Sequence, residues 1–92
     1  MARMTDMPLV CVTWHDAHSL DNNEWHTDTD ITDEPCVVRS VGYWLKRPRA
    51  RHICLVQSCA DDEGLDNVLL IPLGMVKKME RLKIPHKRRK PR

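Results

Sequence analysis

Phenylalanine is absent from this chain, and three tryptophans and one tyrosine are its only aromatic residues. A core built here must rest on Val, Ile, Leu and Met, with a few tryptophan anchors. Glycine occurs three times in 92 residues, which leaves no Gly-rich loop of the kind that wraps phosphates. No Gly-x-Ser-x-Gly turn presents a serine nucleophile, so Ser19 and Ser58 stand without that signature. No wholly apolar run exceeds four residues, whereas about 20 are needed to span a bilayer. Met1–Pro8 has no charged start followed by an apolar stretch. These absences point to a soluble, cytoplasmic, non-enzymatic protein with no membrane partner, and the length leaves room for one domain.

The formal charge of +2 conceals a segregated chain. Residues 1–35 hold eight acids and one base, a local charge of −7. Residues 36–60 hold five bases and no acid, and residues 61–75 hold four acids and no base. Residues 76–92 hold nine bases and one acid, a local charge of +8. Blocks of this kind point to an acidic partner for the basic segments, or to neutralisation within the fold.

Four β-rich runs stand out. They are Leu9–Trp14, Cys36–Leu45, His52–Ser58 and Val68–Pro72. Between the first two lies a long polar loop, His15–Pro35, with Trp25 and Ile31 as its large apolar residues. Loops of this length in compact domains are often functional. Gly42 marks a bulge or bend. Lys46–Arg51 and Ala60–Asn67 read as turns. In Met75–Leu82, Met75, Val76, Met79 and Leu82 are spaced as on a helix. So short a helix is marginal alone, and a short strand after a tight helical turn is the preferred reading. His86–Arg92 has no apolar residue and reads as a tail. The domain boundaries are therefore an N-terminus over 1–8, a domain over 9–83 and a basic tail over 84–92.

The third and fourth runs are apolar at both parities, so both faces of those strands need cover. A helix or a second subunit can supply it, and a homo-oligomer is one expectation. Expected core residues are Trp14, Trp25 and Trp44, with Val10, Val12, Val37, Val41, Ile53, Leu55, Val56, Leu69, Ile71, Val76 and Met79.

The segment Leu70-Ile71-Pro72-Leu73-Gly74-Met75-Val76-Lys77-Lys78-Met79 is similar to the end of the second Sm motif of Sm-like proteins. There a helical turn joins the fourth and fifth strands and lines an RNA-base site. The order of elements also resembles SH3-like barrels. The chain carries neither the N-terminal helix nor the Asp/Asn signature of the first Sm motif. A wider resemblance rests on Trp14-His15-Asp16-Ala17-His18-Ser19, Trp25, Ser40-Val41-Gly42-Tyr43-Trp44-Leu45, Val56-Gln57-Ser58 and Ile71-Pro72-Leu73-Gly74. Together these resemble a family of short uncharacterised bacteriophage and prophage proteins. That resemblance implies a phage origin, a small β-rich domain and a host component as partner, and it transfers no functional residue.

Cys11, Cys36, Cys54 and Cys59 form no Cys-x-x-Cys pair, and a disulfide framework does not suit a reducing cytoplasm. Buried cysteines acting as small hydrophobes are the expectation, with no cofactor. If a metal is held, His15, His18, Cys54 and Cys59 are the candidate ligands, as thiolate and imidazole suit zinc. The same His15-Asp16-x-His18 cluster could in principle serve acid–base chemistry. Asp28, Asp30, Asp33 and Glu34 crowd the long loop without the glycine of a calcium loop. They read as an acidic partner surface, able to mimic phosphate charge.

Lys46, Arg47, Arg49 and Arg51 share one turn, and Lys87, Arg88, Arg89 and Lys90 the tail. With Tyr43 and Trp44 nearby, they are the candidate partner or nucleic-acid contacts. The sequence thus predicts a mainly β protein. It is a small five-stranded SH3-like or Sm-like barrel with a long first loop and a disordered basic C-terminal tail. Its expected function is binding a host protein, with direct RNA or DNA binding as the alternative.

Overall fold

A computed structural model describes residues 6–18, 25–62 and 64–83. It contains five strands: β1 (Leu9–Asp16), β2 (Cys36–Leu45), β3 (His52–Cys59), β4 (Leu65–Pro72) and β5 (Val76–Arg81). They form one antiparallel sheet in the order β4-β3-β2-β1-β5. Val, Ile, Thr, Trp and Tyr populate these runs, residues whose side chains pack well on a pleated surface. Among the described residues there is no α-helix, only 3-10 turns, and so no helix long and apolar enough to cross a membrane.

Pairing extends two strands into polar sequence. β1 continues through His15 and Asp16 because they pair with Val37 and Cys36. β4 begins at Leu65, opposite Cys59. In both places a ladder of backbone hydrogen bonds overrides polar side-chain composition. The expected barrel is not closed: β4 and β5 are the two edges of the sheet. β5 pairs with β1, and a 3-10 turn at Leu73–Met75 separates it from β4.

The sheet still builds one core. Val10 and Val12 from β1, Ile53 and Leu55 from β3, and Ile71 from β4 form a single buried cluster. β1 and β3 are not neighbours in the sheet, so the sheet curls until its two halves meet. Trp14, Trp44, Val76 and Met79 pack around that cluster. Val76 and Met79 are three apart, which strict alternation would place on opposite faces. A register shift between Thr13 and Trp14 resolves this: Val12 pairs with Met79, while Trp14 pairs with Val76. The extra residue of the bulge turns both side chains inward. The spacing that resembles a helix in the sequence is therefore a bulged strand.

Several expected core positions are exposed. Val41 is 58% exposed and Trp25 is 99% exposed; Val37 and Leu69 are also exposed. On β2 the reason is parity. Val10 pairs with Gly42 and Val12 with Ser40, which places the even-numbered side inward. The odd side, with Val37, Arg39 and Val41, faces out. Leu69 sits on the edge strand, and Trp25 belongs to the long loop.

β2 pairs with β1 through Tyr43 and with β3 only over Tyr43–Leu45. Gly42 lies at this changeover. A Cβ there would stand 3.2 Å from Leu55 Cβ and 3.3 Å from the Val56 carbonyl oxygen. Gly42→Val is therefore expected to destabilise the fold by about 1–3 kcal/mol through overpacking. A urea melt showing an unchanged midpoint would refute that close approach.

Beside the core, Trp14 Nε1 donates to Ser40 Oγ at 3.0 Å. This satisfies the indole N–H of a half-buried ring.

Candidate interface for an anionic partner

β2 ends at Leu45, and the β2–β3 turn that follows bends at Pro48–Arg49. Pro48 is followed by Arg49 at φ 55°, in the left-handed region. Proline followed by a positive φ is the pattern of a type II turn, in which the second position favours glycine or asparagine. A non-glycine residue there costs about 1–3 kcal/mol of backbone strain. The chain thus carries arginine where glycine would be relaxed.

Around this turn is a hollow of about 480 Å³. Lys46, Arg47, Arg49 and His52 contribute its polar side chains, and Trp44, Ile53, Leu73 and Met79 much of its apolar lining. Among the described residues no acidic side chain lines it. A second hollow of about 450 Å³ shares Trp44, Leu45 and Lys46 and adds Asp6 and Arg81. Among the described residues the one ion pair is Lys78–Glu80, at 3.4 Å. The turn's cations are thus not neutralised by a described carboxylate, and they leave a local positive field.

Lys46 Nζ lies 4.8 Å from the centroid of the Trp44 ring. Such a contact is worth about 0.5–1 kcal/mol at an exposed site, and it occupies the ring face that a base would need. Trp44 also packs on the core. Tyr43 belongs to the opposite face of β2, by alternation. The two aromatics therefore form no joint stacking platform.

The acidic candidates lie elsewhere. Asp28–Asp30 is a 3-10 turn, and the Asp30 carboxylate accepts from Thr27 N at 3.0 Å and from Thr27 Oγ1 at 3.2 Å. Asp30 is thus engaged in holding its own loop. Asp28, Asp33 and Glu34 are exposed. The tail residues Lys87, Arg88, Arg89 and Lys90 lie outside the described residues.

The metal candidates are dispersed. His15 is on β1, His18 follows that strand, and Cys54 and Cys59 are on β3. Among the described residues no three His, Cys, Asp or Glu side chains form a group that could hold a metal ion. Cys54 is buried and none of the four cysteines is disulfide-bonded.

Two features of the surface were not legible in the sequence. Leu73 and His52 join the hollow because the Leu73 backbone N–H donates to the Arg51 carbonyl at 3.1 Å, drawing the start of the 3-10 turn against the β2–β3 turn. The strained backbone of Arg49 left only one cue, the proline before it.

Compared with known proteins, the chain matches no protein family, no curated protein and no solved structure.

Proposed function

We propose that this chain is a non-enzymatic, phage-encoded binding module that contacts an acidic surface of a host protein in the host cytoplasm. The β2–β3 turn is the contact. The observation that carries this reading is the hollow lined by Lys46, Arg47, Arg49 and His52 and, among the described residues, by no acid, with Arg49 held in a backbone conformation that glycine would adopt more easily. The fold beneath it is read as an SH3-like or Sm-like barrel left open along one seam. The strand order, the single inner core and the 3-10 turn between β4 and β5 support that reading.

A second reading, binding to the backbone of RNA or DNA, draws on the same cations, since phosphate and carboxylate both satisfy them. The Trp44 face covered by Lys46 favours a protein partner over stacked bases. Capture of partners from host lysate on the immobilised full chain, with and without nuclease, separates the two. A partner retained after nuclease supports the protein reading. Loss of every partner on nuclease treatment overturns it in favour of nucleic acid.

A further inference from the structure

The loop between β1 and β2 presents an apolar side chain among carboxylates. Ile31 is 61% exposed. Asp28, Asp30, Asp33 and Glu34 flank it in the chain, with no lysine or arginine between Trp25 and Pro35. The capping box of Thr27 and Asp30 holds the 3-10 turn directly before it, and Ile31 then enters extended backbone. The segment is thus partly ordered before any contact, which lowers the cost of docking it.

The hollow at the β2–β3 turn has the opposite chemistry. Lys46, Arg47 and Arg49 are exposed there, and Trp44, Leu73 and Met79 contribute an apolar wall. An apolar side chain flanked by acids is complementary to an apolar hollow flanked by bases. The two do not meet within one copy. Asp33 and Glu34 are tethered within about 11 Å of Cys36, the start of β2. The basic turn follows Leu45, at the far end of a strand that spans roughly 30 Å. The same loop on a second copy has no such tether.

We propose that this chain forms a reciprocal two-fold dimer in which the acidic loop of each copy docks in the basic hollow of the other. Ile31 enters the apolar hollow, and Asp33 and Glu34 face Arg47 and Arg49. Loop and hollow lie at opposite ends of the β1–β2 ladder, since Asp16 pairs with Cys36 at one end and Leu9 with Tyr43 at the other. A two-fold axis across the strands therefore sets each loop against the partner copy's hollow, and the assembly closes at two. Self-association rests on the same hollow as the binding role proposed above, so a second copy and a host protein compete for it.

Sedimentation velocity on the full chain over a concentration series tests the dimer. The expected result is a reversible shift toward twice the 10.8 kDa chain mass. Ile31→Ser, the loop variant Asp33→Lys/Glu34→Lys and the hollow variant Arg47→Glu/Arg49→Glu should each weaken it tenfold or more, on the order of the cost of like charges or a lost anchor. All five positions are exposed, so the urea midpoint should stay near that of the parent chain. An equimolar mixture of the loop and hollow variants should restore the dimer, because both interfaces again join opposite charges. A chain that stays monomeric up to its solubility limit overturns the proposal. So does a dimer unaffected by these variants, a larger assembly, or a mixture no better than either variant alone. A monomeric chain that still captures a host protein ends the dimer and leaves the binding role standing; a dimer that captures none does the reverse.

Discussion

Ile71→Ala is expected to lower the unfolding free energy by about 2–5 kcal/mol, the range for an aliphatic side chain truncated to alanine in a packed core. Ile71 is 0% exposed and pairs with Ile53 across the β3–β4 ladder. It belongs to the cluster that also holds Val10 and Val12 of β1. One side chain thus helps join both halves of the curled sheet, and its loss opens a cavity between them. A small domain holds only about 5–15 kcal/mol in total, so the variant should populate unfolded chain at moderate urea. The check is a fall in the urea midpoint at unchanged slope. Val41→Ala, on the exposed side of β2, should shift stability by less than about 0.5 kcal/mol. Equal losses at the two positions would contradict the facing assigned to β2 and β4.

The second large effect concerns binding. Arg47→Glu/Arg49→Glu should weaken the captured partner's affinity on the order of a hundredfold, as two cations facing an anionic surface become like charges. Both residues are exposed, so the urea midpoint should stay near that of the parent chain. The difference in affinity should shrink as salt rises, because exposed charges beyond about 10 Å are screened near 0.1 M. Titration of the partner by calorimetry at two salt concentrations reads both effects. Undiminished binding by the variant would remove the β2–β3 turn from the interface.

The core was partly legible because β-rich runs declare themselves locally. Val10, Val12, Ile53, Leu55 and Ile71 sit in such runs, and all five form the inner cluster. Val37 and Val41 sit in one as well, yet they face outward. In CVVRSVGYWL apolar residues occupy both parities, and only the pairing of Val10 with Gly42 decides between them. The basic turn was legible as composition. What lines it was not, because Leu73 and Met79 come from segments distant in the chain.

By itself the sequence determined the secondary-structure class, the approximate strands and the segregation of charge along the chain. These follow from side-chain branching, turn residues and the order of acids and bases, all local properties. The tertiary structure decided which face of each strand is inward, that Val76 and Met79 share a face through a bulge, and that β4 is left as an edge. Those outcomes depend on which strands pair and in what register, a choice made by contacts between residues far apart in the chain.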